Sequence, residues 1–189
     1  TTEIYTLSLH DALPISIGTL LTHGKTIQDW CGYQLLEREI TPLIAIPTTA
    51  GTGSEVTPFV VITDTTTHVK LNIFDPKAAA KVALIDPVML MKLPSHIMAS
   101  CGVDALTHAV EAYTCTLACP HTDAYALYAI ELIRKNLRNA VKEPTIEACT
   151  GMMLGSTIAG IAFGYSDVGG VHCIDRKSTR LNSSHVSQS

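Results

Sequence analysis

Asp104 and His108 stand four residues apart in "CGVDALTHAVEAYTC", residues 101–115, a largely apolar stretch with no Lys or Arg to pair the carboxylate. On a helix, a four-residue step turns the side chain by about 400°, which leaves the two groups about 40° apart and about 6 Å along the axis. A carboxylate oxygen and an imidazole nitrogen on adjacent turns supply half of a divalent metal site. The same spacing also suits a solvated stripe of Asp104, His108, Glu111 and Cys115, so spacing alone leaves both readings open. His172 is a third ligand candidate, because the glycine-bearing "FGYSDVGG" before it lets the chain bend back toward the pair.

A second chemistry-bearing stretch is "AIPTTAGTGSEVTP", residues 45–58. An apolar run passes directly into Thr48, Thr49, Gly51, Thr52, Gly53 and Ser54. Glycines permit close backbone approach, and hydroxyls with exposed N–H groups can bind anionic oxygens. The pattern is neither a Walker loop nor G-x-G-x-x-G. A phosphate-binding turn and a plain Gly/Thr turn between strands both fit it. Lys70, beyond the next strand, either returns to the same mouth or is an ordinary surface lysine. Cys115, Cys119 and His121 have the residue types of a metal knuckle, but Pro120 intervenes and no second Cys pair follows.

These residues need elements to position them. "PLIAIPTT" (42–49), "PFVVITD" (58–64), "VKLNIFD" (69–75) and "KVALIDP" (81–87) read as strands bounded by turn residues, with "DPKAAAK" a turn into a short helix at most. "IGTLLTHG" reads as a helix end with Gly24 as its left-handed terminator. After residue 90 the strand signals stop. Pro94 can open a helix through Ala99, residues 104–115 are helical by period, and Thr122 or Asp123 can cap a helix reaching about Val141. Pro144 breaks it, and the apolar "IEACTGMMLGSTIAGIAFG" follows. Strands first and helices second predict an α/β part joined to an all-α part, with ligands favouring the boundary.

The chain of 189 residues is 47% hydrophobic, enough for a core, and its formal charge of −4 carries no footprint for nucleic acid. No apolar run is expected to reach the roughly 18 residues of a membrane span. The six Cys are scattered and read as reduced thiols of a cytoplasmic protein.

The two ends differ from the rest. "TTEIYTLSLHDALPI" and "DRKSTRLNSSH" resemble in-frame translations of the two adapters of short-read DNA sequencing. Residues 1–16 and 175–189 are therefore set apart and expected to contribute nothing to the core. Between them, residues 17–92 read as a partial dinucleotide-binding α/β domain and 93–174 as a partial helical metal-binding domain.

"PLIAIPTTAGTGSEVTPFVVITD", "LIDPVMLMKLP", "GVDALTHAVEAY" and "VGGVHC" occur in the order and spacing of the iron-containing (group III) alcohol dehydrogenases, and the stretch between the ends resembles that family throughout. The resemblance implies a dehydroquinate synthase-like architecture, with a partial Rossmann-like α/β part before a truncated helical domain. It implies Asp104 and His108 as two of four metal ligands and His172 as the third. It places NAD or NADP on Thr48, Thr49, Gly51 and Thr52, with Lys70 as the matching lysine. The implied metal is Fe(II), although the donor set also suits Zn(II) or Mn(II). The implied reaction passes hydride between a small alcohol or aldehyde and nicotinamide, the metal acting as a Lewis acid. The implied parent is a homo-oligomer.

Departures from the family pattern accompany the likeness. Its glycine-rich pyrophosphate loop lies upstream of residue 17. The second His of its "VHxxxH" segment falls on Arg176, and a fourth ligand has no match. The 189-residue chain alone is therefore expected to be inactive. Maleylacetate reductase and hydroxyacid–oxoacid transhydrogenase are alternatives within the family, and a metal-dependent hydrolase is an alternative outside it.

Overall fold

The computed structural model describes residues 12–64 and 69–172. Helix α1 spans Ala12–His23. Gly24 ends it at φ 67°, its N–H donating to the Leu20 carbonyl at 2.8 Å. This left-handed stop follows from glycine's lack of a Cβ. The helix starts upstream of the expected boundary, and Ala12, Ile15 and Ser16 are buried. The expectation that residues through 16 stay out of the core is thus corrected. Ile15 lies one turn before buried Thr19, whose hydroxyl donates to the Ile15 carbonyl at 2.9 Å, so the same helix face continues upstream. Leu7, Leu9, Leu181 and Arg176 lie outside the described residues.

Ile15 packs into a core with Trp30, Leu36, Ile40, Val60 and Ile73. The strands there are β1 (Gly32–Tyr33), β2 (Ile44–Ala45), β3 (Phe59–Asp64), β4 (Val69–Phe74) and β5 (Val82–Ala83). β3 and β4 form an antiparallel pair running from Phe59↔Phe74 to Asp64↔Val69, and β1 joins β4 in parallel. Asp75, fully buried, knits this layer: its carboxylate accepts from the Leu36 and Lys77 backbone N–H groups, each at 2.9 Å.

β2 and β5 pair in parallel over only two residues each. The sequence predicts longer strands at both places. A parallel strand is normally flanked and covered on both faces. Here Ile44, Ile46, Val82 and Leu84 are all exposed, so among the described residues the apolar runs have no neighbours to extend the ladder.

The helical part comprises α2 (Ser95–Thr114), α3 (Pro120–Lys142) and α4 (Ile146–Ser166). Short connections make consecutive helices antiparallel neighbours. Small residues line the contacts: Ala105, Ala109 and Ala112 of α2, Ala126 and Ala129 of α3, and Ala159 and Ala162 of α4 are all fully buried. α2 is continuous where the sequence suggests two pieces. Gly102 does not break it, because Leu137 occupies the space of a side chain there, its Cδ1 2.3 Å from where a Cβ would stand. Cys119, rather than Thr122 or Asp123, is the N-cap of α3; its N–H donates to the Thr122 hydroxyl at 2.8 Å.

α4, 21 residues long, is apolar enough by length and composition to cross a membrane, with mean hydropathy 1.4 over 18 of them, contrary to the expectation that no run would be. Its small residues let α2 and α3 pack directly against it, and Cys149, Met152, Met153 and Ala159 are buried inside the protein.

Candidate metal centre

Asp104, His108 and Glu111 occupy one face of α2, since steps of four and three residues keep side chains aligned. His108 and Glu111 are buried, while the Asp104 side chain is 43% exposed. The chain then travels through α3 and α4 and returns at Gly169–His172. The structure brings His172 onto this face: its Nε2 lies 3.6 Å from Asp104 Oδ1, and its ring stacks on that of His108 with centroids 4.2 Å apart. His108 Nδ1 lies 3.9 Å from Asp104 Oδ2. On its other side the His108 ring stacks on Phe163 of α4 at 4.5 Å. One donor atom each from Asp104, His108 and His172 fall within 4.8 Å of one another, the one such group among the described residues.

His108 Nδ1 is buried and has no hydrogen-bond partner among the described residues. A buried, unpartnered nitrogen is costly unless something outside the chain satisfies it. Together with an imidazole and a carboxylate, it forms a donor set that fits a divalent first-row metal. The Cys115, Cys119 and His121 group forms no such site among the described residues. The Cys115 thiol donates to the Ser166 carbonyl at 2.8 Å, and Cys119 is spent on the α3 cap.

Electrostatics follow from this crowding. Burial would raise the Asp104 carboxyl, but the His172 ring and the charges of His108, His172 and Lys70 hold it below its usual value. Burial pushes His108 down, against the pull of Asp104. His172 is held above the ordinary histidine value by Asp104 and, against some burial, by Glu111. Glu111 is likewise held low, the His172 ring outweighing its burial.

The Gly/Thr turn abuts this centre. Ala50 is fully buried in the helical core. A Cβ on Gly51 would lie 3.0 Å from Cys101 Cβ on α2, and the Gly51 backbone comes near enough to the His108 ring to pull its pKa upward, against the larger effect of burial. Thr52 donates its hydroxyl to Ser54 at 3.2 Å. Thr49 is half-buried and Thr48 exposed, the latter lining a cavity with Ile46, Ser54 and Glu55 at the C-terminal end of β2. Lys70 comes near enough for its charge to act on Asp104. Two participants were not legible as functional from spacing: Glu111, which pairs with His172 Nδ1, and Phe163. For Glu111 the available signal was its position seven residues after Asp104 on the same face.

Comparison with known proteins agrees over most of the chain. Residues 16–87 match the iron-containing alcohol dehydrogenase family, and residues 98–185 match the C-terminal part of the Fe-containing alcohol dehydrogenase family. The second match extends past residue 174 into the segment set apart as an adapter-like tail. The chain is 40% identical over 171 residues to an NAD-dependent methanol dehydrogenase of Bacillus methanolicus, which covers 90% of this chain and 45% of that protein. It is 41% identical to a 1,3-propanediol dehydrogenase of Citrobacter freundii, covering 84% of this chain and 41% of that one. Among solved structures it resembles a 1,3-propanediol oxidoreductase, with TM-score 0.81, 41% identity, and 86% and 43% of the two chains covered. A sulfoacetaldehyde reductase from Bifidobacterium kashiwanohense in complex with NAD+ gives TM-score 0.80 and 34% identity over 86% and 44% of the chains. The chain thus spans less than half the length of these relatives. With both matches, the shared fold and the ordered motifs in agreement, the chain belongs to the iron-containing alcohol dehydrogenase family.

Proposed function

We propose that this chain supplies the metal centre and part of the cofactor site of an NAD(P)-linked dehydrogenase that interconverts a small alcohol and its aldehyde. The observation that carries the reading is the convergence of Asp104, His108 and His172 within 4.8 Å, beside the Gly51 backbone. Asp104, His108 and His172 hold the metal, Fe(II) in this reading, with Zn(II) or Mn(II) suited to the same donors. When bound, the metal supplies a Lewis acid that polarises the substrate oxygen.

The chain's own residues do the rest. Asp104 gives the site a negative charge, offset by Lys70. Phe163 covers one face of the His108 ring and shields it from water. Thr48, Thr49, Gly51 and Thr52 offer hydroxyls and backbone N–H groups to NAD or NADP. They follow the C-terminal end of β2, where open α/β sheets take ligands. Because the turn and α2 touch through Gly51 and Cys101, residues of the turn would hold the cofactor beside the metal-binding face of α2, and position is what such a reaction requires of the protein.

In this reading residues 17–92 and 93–174 are parts of the two domains of a longer cytoplasmic, homo-oligomeric enzyme, and the 189 residues alone do not turn over. The test is NADH formation from a panel of short primary alcohols and diols by the longer protein carrying this stretch, with the 189-residue chain in parallel. Alcohol-dependent NADH from the longer protein, lost in His108→Ala, supports the reading. Activity that needs added 2-oxoglutarate instead assigns the transhydrogenase reaction. Undiminished turnover by a metal-free His108→Ala protein overturns it.

A further inference from the structure

We propose that Glu111 is the positioning residue of the metal centre: it fixes the tautomer and orientation of His172 so that the ring offers Nε2 to the metal. The proposal rests on the reading of Asp104, His108 and His172 as ligands.

Both oxygens of Glu111 are committed to the returning segment. Oε1 accepts from the Val171 N–H at 2.6 Å and lies 3.4 Å from the His172 N–H. Oε2 pairs with His172 Nδ1. One carboxylate thereby holds the backbone that carries His172 and the ring itself. It does so from α2, the helix that also carries Asp104 and His108. The fit is close: a Cβ on Gly169 would stand 3.3 Å from Oε1. A carboxylate cannot donate, so a neutral His172 must donate Nδ1–H to Oε2, which leaves the Nε2 lone pair facing Asp104. Carboxylates behind ligating histidines set ring geometry in this way.

The amide isostere makes a sharp test. In Glu111→Gln the Val171 N–H still requires an acceptor, so the amide oxygen takes the Oε1 place and the NH₂ group faces Nδ1. Nδ1 must then accept, the proton moves to Nε2, and the ring turns a donor toward the metal. Shape and burial are kept, so a purely structural role predicts little change.

The experiment measures Zn(II) affinity of the full chain by chelator competition and the tautomer of neutral His172 by ¹⁵N NMR at about pH 9, since both carboxylates favour its protonated form at lower pH. It compares wild type, Glu111→Gln, His172→Ala and the double variant. The expected result is an Nδ1–H tautomer in wild type, an Nε2–H tautomer in Glu111→Gln, and a Zn(II) affinity lowered about 10–100-fold by that change. In the His172→Ala background, Glu111→Gln should alter affinity by less than about twofold, because the effect acts through His172. If the amide variant fails to fold, Glu111→Ala carries the test, and added acetate should restore part of its Zn(II) affinity. Unchanged affinity or tautomer in Glu111→Gln overturns the inference, as does an equal loss in the His172→Ala background or no response of Glu111→Ala to acetate. In each of those cases, loss of Zn(II) in His108→Ala leaves the metal centre standing. A wild-type chain that takes up no Zn(II) overturns both.

Discussion

Gly53 and Gly160 meet backbone to backbone: a Cβ on Gly53 would stand 2.7 Å from Gly160 Cα, and one on Gly160 would stand 3.0 Å from Gly53 Cα. This contact seats the Thr48–Thr52 turn on α4, and Gly53 holds φ 60° to make it. By helix propensity alone, Gly160→Ala should stabilise α4 by about 1 kcal/mol. The contact predicts the opposite sign, because backbone atoms of Gly53 cannot move aside without dislodging the turn. Urea unfolding should show Gly160→Ala less stable than wild type by about 1–3 kcal/mol. A gain in stability would show that the turn does not rest there.

The same seam is tied by Thr157, whose hydroxyl donates to buried Glu55 Oε1 at 2.6 Å across 102 residues of chain. Thr157→Val keeps the shape and removes the donor, leaving a buried carboxylate short of one partner. The expected loss is about 1–3 kcal/mol by denaturant unfolding, with Thr157→Ser close to wild type. Equal stability of the Val and Ser variants would count against a role for this bond.

Ile15 separates two accounts of the chain's first described helix. Its side chain is 1% exposed and packs with Trp30 and Leu36. Ile15→Ala should lower the unfolding free energy by about 2–5 kcal/mol. A change within about 0.5 kcal/mol is what a surface tail would give.

The centre's charges make a pH prediction for the metal-free chain. His172 is raised above its unfolded value, so its contribution is full below about pH 6.5 and is lost as pH rises through the raised value. Asp104 and Glu111 are lowered; theirs is present above the ordinary carboxylate range and lost as pH falls through the depressed values. His108 is lowered and opposes His172, losing stability as pH falls below about 6.5. The unfolding free energy of wild type minus that of His172→Gln isolates the first effect. It should be larger near pH 5.5 than near pH 9. A difference that is constant or grows with pH would contradict the geometry around His172.

Local chemistry made much of this fold legible. β3 and β4 fall within a residue of the β-branched runs at 58–64 and 69–75, and Gly24 ends α1 as its lack of a Cβ predicts. The Asp104–His108 spacing places both on one face of α2 for the same local reason. What was not legible is set by partners distant in sequence. Glu111 looked like part of a solvated stripe because its partners, Val171 and His172, are 60 and 61 residues away. The continuity of α2 between Ala99 and Asp104 is not legible locally, because nothing nearby reveals that Leu137 packs against Gly102. β2 and β5 were read as full strands from apolar residues whose covering neighbours are not among the described residues. The burial of Ile15 is not legible either, because it depends on Trp30 and Leu36, which lie well downstream in the chain.

Metal uptake tests the centre most directly. The chain is loaded with Fe(II) without oxygen, dialysed against a fixed free concentration, and analysed for iron per chain, with Asp104→Ala, His108→Ala and His172→Ala treated identically. The convergence of the three donors within 4.8 Å predicts iron in the wild type and a loss of at least about tenfold in affinity in each variant, while folding by circular dichroism is retained. Iron retained equally by wild type and His108→Ala, or taken up by none of the four, would contradict a metal centre built on Asp104, His108 and His172.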